Sequence, residues 1–141
     1  MPKPPPKVTK AMEDSDGDGG RAPVPEAYYL LKVESDEEYQ GSEFDGVKMK
    51  FRIVEPRGYK GKVLYDRFSY NPAAGFKWRQ LYDAAGYEYD SDTAELVENQ
   101  EMVVAYVVQN VIESGKSKGK IGNNIDEYFE PNDENRSLVA D

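Results

Sequence analysis

Cysteine and histidine are both absent from the 141 residues. Their absence removes disulfides, Cys/His zinc sites, thiol nucleophiles and every Ser-His or Cys-His relay. An enzyme built from this chain would be confined to carboxylates, Lys, Tyr or Ser, helped by a borrowed metal ion. Long apolar runs are missing too: no stretch approaches the roughly 20 apolar residues that a membrane-spanning helix needs. The start, Met1-Pro-Lys-Pro-Pro-Pro-Lys7, lacks the apolar segment of a secretory signal, so a cytoplasmic location is expected.

Positive charge is in short supply overall. Eighteen Lys and Arg against 27 Asp and Glu leave a net charge of -9, which alone argues against nucleic acid, because phosphate neutralisation needs Lys and Arg. The distribution matters more. From Lys48 to Arg79 nine bases face two acids, Glu55 and Asp66, so that block carries 9 - 2 = +7, whereas Asp83 to Glu113 holds eight acids and no base. The chain is electrically two-sided along its sequence.

Residues 1–24 carry Pro, Lys, Gly and Asp with almost no apolar side chain, and are expected to form a disordered N-terminal tail. Within it, Asp14-Ser-Asp-Gly-Asp-Gly19 matches the first half of a calcium-loop pattern. The second half fails, since Pro25 stands where the bidentate Glu belongs, so no metal is expected. Residues 131–141 are short, acidic and without periodicity, an acidic C-terminal tail. One domain is expected over 25–130.

Inside it, Tyr28 to Glu34 reads as a first strand. Val47, Met49, Phe51 and Ile53 alternate with Lys48, Lys50 and Arg52, giving a second strand with one apolar and one basic face. The turn chemistry of Pro56 to Gly61 leads into a third strand, Lys62 to Tyr70. Asn71-Pro72 starts a helix that Gly86 ends, with Ala74, Trp78, Leu81, Tyr82 and Ala85 on one stripe. Trp78 is therefore expected to plug the core. After an acidic linker from Tyr87 to Gln100, with a turn of helix expected around Ala94, Met102 to Ile112 and Ile121 to Phe129 read as a second hairpin around the tip Gly115 to Lys120. Three strands, one helix and two strands predict a mainly β, five-stranded Greek-key barrel of the oligonucleotide/oligosaccharide-binding (OB) type, its helix between strands three and four.

Such a barrel binds extended polymers across strands two and three and between its loops. Here Lys48, Lys50 and Arg52 are placed to track phosphates, with Arg57, Lys60 and Lys62 extending the track at the turn and Arg67 on strand three. Tyr59, between Gly58 and Lys60, is the first candidate for stacking on bases, and Tyr65 the second. Lys116, Lys118 and Lys120 on the second tip are candidates to clamp a strand from the far side. The bland alternative is that all these are the solvated side of ordinary strands and turns. Gly58-Tyr-Lys-Gly-Lys62 lacks the spacing of a phosphate loop, and the carboxylates from Asp83 to Glu101 lack a metal or acid/base pattern.

The run Gly58-Tyr-Lys-Gly-Lys-Val-Leu-Tyr-Asp66, the helix Phe76 to Gly86 and the return Gly122-Asn-Asn-Ile-Asp-Glu-Tyr128 resemble a group of bacteriophage single-stranded-DNA-binding proteins with an OB-fold. The resemblance spans most of residues 25–130 and neither tail. It implies a non-catalytic protein, without cofactor, that binds single-stranded DNA in phage replication or recombination within the infected bacterial cell. Single-strand-binding proteins of bacteria commonly end in an acidic tail, so Asp133, Glu134 and Asp141 make replication or recombination proteins candidate partners. The low overall charge keeps a second class open, the same barrel as a protein-interaction or virion-associated module with no nucleic-acid ligand. A metal-dependent nuclease working through clustered carboxylates is the remaining class.

Overall fold

The computed structural model describes residues 23–113, 115, 116 and 118–140. Aromatic and branched residues carry β1 over Ala27–Tyr39. β2 covers Gly46–Glu55, β3 Val63–Ser69, β4 Met102–Val111 and β5 Ile121–Phe129. All pairings are antiparallel, in the order β3-β2-β1-β4-β5. The molecule is thus mainly β, built on a five-stranded antiparallel open sheet, and the ladder does not run from β3 on to β5.

Alternation decides the inner face. Val33 pairs with Phe51, Phe51 with Leu64, and Leu31 with Val103, so each strand lays a row of apolar side chains on the same side. These rows bury Tyr29, Leu31, Met49, Phe51, Ile53 and Phe68 to 1% exposure or less, in one cluster that closes under the helices. Between β3 and β4 lie two helices where the barrel outline has one. A 3-10 turn, Pro72–Ala74, starts at Asn71, whose side chain accepts from the Ala73 amide, and runs into α1, Gly75–Ala85. Gly86 ends α1 at φ 78°, a left-handed cap that a side chain would strain. Within the acidic linker, the turn of helix expected around Ala94 is α2, Thr93–Glu98, capped by Asp92 on the Ala94 amide and anchored by buried Leu96.

Side chains, not backbone, span the gap between the outermost strands. The Tyr128 hydroxyl on β5 donates to the Asp66 carboxylate on β3, and the Phe68 and Tyr128 rings lie 6.0 Å apart. Gln80 of α1 accepts from the Tyr128 amide at 3.2 Å, tying the helix over this seam.

Both chain ends of the described region depart from the expected tails. Residues 1–22, with the Asp14–Gly19 loop, lie outside the described residues, but Val24 is fully buried and belongs to the domain. Asn123 holds it from both sides: its side-chain oxygen accepts from the Val24 amide and its side-chain amide donates to the Val24 carbonyl, each at 2.9 Å. At the other end, Asn132 caps a short α3, Asp133–Arg136, and Val139 packs on Leu30 and Val104 of the outer sheet face. The expected loose C-terminal tail fails for a local reason. Asn132 satisfies the Asn135 amide at 2.8 Å, and the apolar Val139 has a patch to cover. That cover explains why Val103, Val104 and Ala105, which point alternately to the two faces, are all wholly buried. Among the described residues, no helix is long and apolar enough to cross a membrane.

Candidate nucleic-acid interface

The outer face of β2 and β3 carries the predicted bases in register. Lys48 lies opposite Arg67, Lys50 opposite Tyr65, and Arg52 opposite Val63. Cations and rings interleave there. The Lys48 ammonium sits 4.4 Å from the centre of the Tyr65 ring, and the Arg67 guanidinium 5.3 Å from that of Tyr39, at the end of β1. Tyr39 lies past the strand end expected at Glu34, so the sequence pattern missed it.

Arg52 is spoken for. Its Nε and Nη2 donate to the two carboxylate oxygens of Glu34, both at 2.9 Å, and its Nη1 donates to the Gly61 carbonyl at 2.8 Å. These bonds to Arg52 hold the Glu34 carboxyl below its usual range, and the nearby Lys50 and Lys32 add to the effect. Lys50 reaches the same carboxylate at 3.9 Å. Arg52 therefore braces the β2–β3 turn, in place of its expected phosphate role, because β1 supplies a cross-strand acid that β2 alone does not reveal. Glu37, directly across from Lys48 in register, adds a second acid to the rim.

Tyr59, the first stacking candidate, turns inward. It ends the 3-10 turn Arg57–Tyr59 and meets Tyr29 edge-on with ring centres 6.0 Å apart, half-buried against the core. Burial, with Tyr59 alongside, pushes the Tyr29 hydroxyl up to about 12. Arg57 and Lys60 remain exposed on the turn, and Lys62 is half-buried beside them. At the second tip Lys116, Lys118 and Lys120 are exposed, while Gly119 donates to the Ile112 carbonyl at 2.8 Å and closes the hairpin. The pairings of Leu30 with Glu55 and of Ala27 with Val107 place both tips at the same end of the sheet. The structure thus brings the two groups of lysines to one end and Lys48, Lys50, Tyr65 and Arg67 to one face.

A cleft of about 610 Å³ opens along the β3–β5 seam. Lys48, Tyr65, Arg67 and Lys77 line one wall, and Asn124 and Asp126 the other. Lys77 was not among the expected residues. It reaches from α1 to donate to the Arg67 carbonyl at 2.7 Å and pairs with the Asp66 carboxylate. Burial raises the Asp66 carboxyl above its usual range, while Lys77 and Tyr128 pull the other way. Among the described residues no group of three or more carboxylates is placed to hold a metal ion.

A second cleft, of about 760 Å³, is aromatic. Trp78 is half-buried: one side packs against Phe68 of the core, with ring centres 5.2 Å apart, as expected, and the rest borders this cleft. It donates to the Ser69 carbonyl at 2.7 Å, stacks on Tyr70 with centres 5.9 Å apart and planes at 9°, and presents its other surroundings to this cleft. Phe76, Tyr82 and Tyr89 complete the wall. Phe76 lies off the apolar stripe of α1, and an aromatic on a helix's polar side was the available signal. No family model and no curated protein matches the chain.

Proposed function

We propose that the chain is a non-catalytic single-stranded-DNA-binding protein of the phage type, serving replication or recombination. The observation that carries this reading is the outer face of β2 and β3, where half-buried Lys48, Lys50 and Tyr65 and exposed Arg67 sit side by side in register. Backbone charge with interleaved rings is what sequence-tolerant strand binding requires. The lysines of both tips extend the basic surface at one end of the sheet. The strand order, with β3 and β5 joined only through side chains, fits a partly open OB barrel whose strands two and three meet the polymer.

Titration of a fluorescent oligothymidine at two salt concentrations, with RNA and duplex competitors, tests the reading. Saturable binding that weakens steeply with salt is expected, because bound lysines and arginines release counterions. Absence of binding at low salt would remove the assignment. The aromatic cleft favours the second reading, a protein-interaction module, and in that case the same titration stays flat.

A further inference from the structure

The aromatic cleft differs from the basic face in charge as well as in shape. Phe76 is 70% exposed, Tyr89 59% and Tyr70 49%, which is unusual exposure for three rings sharing one concavity. The surroundings are acidic. Asp92 lines the cleft, and Asp36, Glu38 and Asp45 stand close enough to Tyr70 to raise its hydroxyl, after burial itself. Arg79 is the cation of the lining, and it is engaged by Asp83 at 4.0 Å and by the Tyr89 hydroxyl at 3.1 Å. A phosphate backbone is repelled from such a site. An extended chain that is proline-rich and positive is attracted to it, because rigid polyproline segments dock between aromatic rings with little entropy to lose.

The chain carries such a segment itself. Residues 1–10, Met-Pro-Lys-Pro-Pro-Pro-Lys-Val-Thr-Lys, hold four prolines, three lysines and no acid. They lie outside the described residues, which begin at Pro23. We infer that residues 2–7 of this segment occupy the cleft formed by Tyr70, Phe76, Trp78 and Tyr89. The reach is sufficient. The described chain begins at Pro23, just before β1, and the cleft lies near the far end of that strand, beside Val47, so the span along a strand of this length is about 40 Å. The sixteen peptide steps from Lys7 to Pro23 extend to roughly 53 Å. A tether of this kind supplies an effective concentration on the order of 1 mM, so even a weak peptide affinity fills the cleft.

Trp78, the sole tryptophan, reports directly on the site, and no DNA is needed, so failure here leaves the strand-binding reading untouched. In the full-length protein, Lys3→Glu with Lys7→Glu and Lys10→Glu is expected to shift Trp78 emission to the red and to raise its quenching by acrylamide. Glu38→Lys with Asp45→Lys, both at exposed positions, is expected to do the same. Combining the two sets restores opposite charges and returns emission and quenching to the original values. A free Met1–Lys10 peptide added to the lysine-reversed protein is expected to reverse its shift saturably, and an effect that depends on protein concentration would place the segment in a neighbouring copy's cleft. Trp78 emission and quenching identical in all these proteins, with no response to the peptide, would overturn the inference.

Discussion

The Tyr128 hydroxyl donates to the Asp66 carboxylate across the seam where β3 and β5 share no backbone ladder. Asp66 also accepts from Lys77 and from the Arg67 amide at 3.0 Å. One buried carboxylate therefore joins β3, β5 and α1 beneath the wall of the basic cleft. An ionised group in that position is held only while its donors are in place.

Tyr128→Phe removes one of those donors and leaves the ring packing against Phe51 and Phe68. The expected cost near neutral pH is about 1–3 kcal/mol. Burial already raises the folded-state pKa of Asp66, so its contribution is most favourable below the unfolded value and is lost as pH rises through the folded one. Losing the tyrosine donor raises that pKa further. The destabilisation is therefore expected to be larger at neutral pH than in acid, where the carboxyl is protonated in both states. Urea denaturation of both proteins at the two pH values checks this, and an equal loss at each would refute the role given to the hydroxyl.

Val139 covers Leu30 and Val104, and Val139→Ala is expected to cost about 1–2 kcal/mol, from two methyl groups at roughly 0.8 kcal/mol each plus a small cavity. Ending the chain at Pro131 uncovers the whole patch and should lower stability further. If the acidic residues of this segment also compete with DNA for the basic face, the truncated protein binds oligothymidine more tightly at low salt than the full chain does. Denaturation and salt-dependent titration of the same truncated protein separate the structural role from the competing one.

The parts of the fold that were legible in the sequence are those set by local pattern. β2 alternates Val, Met, Phe and Ile with Lys and Arg, and β5 runs over the expected Ile121–Phe129. Asn71 caps the 3-10 turn that leads into α1, and Gly86 caps the end of α1, as their chemistry predicts. What the pattern could not show were relations between strands. Glu34 reads as the end of a strand until β1 is paired with β2, and only then does it claim Arg52. Tyr59 and Trp78 both ended half-buried against the core for the same reason. A turn residue found a core ring in Tyr29, and a helix residue found the Ser69 carbonyl at the rim of a cleft. The length of β1 and the docking of Val139 likewise depend on surfaces that exist only after folding.

The engagement of Arg52 separates it from its neighbours on β2. Arg52→Ala is expected to leave oligothymidine affinity nearly unchanged while lowering stability by about 1 kcal/mol, a figure kept small because both side chains are about one-third exposed. The sign of its pH dependence follows from Glu34. The folded-state carboxyl titrates below its usual range, so the pair's contribution is present at neutral pH and fades as pH falls through the folded value. Melts of Arg52→Ala should therefore converge on those of the parent in acid.

Lys48 and Arg67 make the opposite prediction. They stand directly across from one another on β2 and β3, each over an aromatic ring, and neither forms an ion pair within 4.0 Å among the described residues. Replacing both by Ala is expected to reduce the slope of log affinity against log salt by about 1.4, since each phosphate contact on a single strand contributes roughly 0.7. Tyr65→Ala, by contrast, removes stacking worth on the order of 1–3 kcal/mol and should lower affinity at every salt concentration by the same factor. A charge defect that changes with salt and a ring defect that does not would place phosphates and bases on the same face of β2 and β3. Equal, salt-independent losses from all three substitutions would instead indicate damage to the sheet, which urea denaturation of each variant would register as a lowered midpoint.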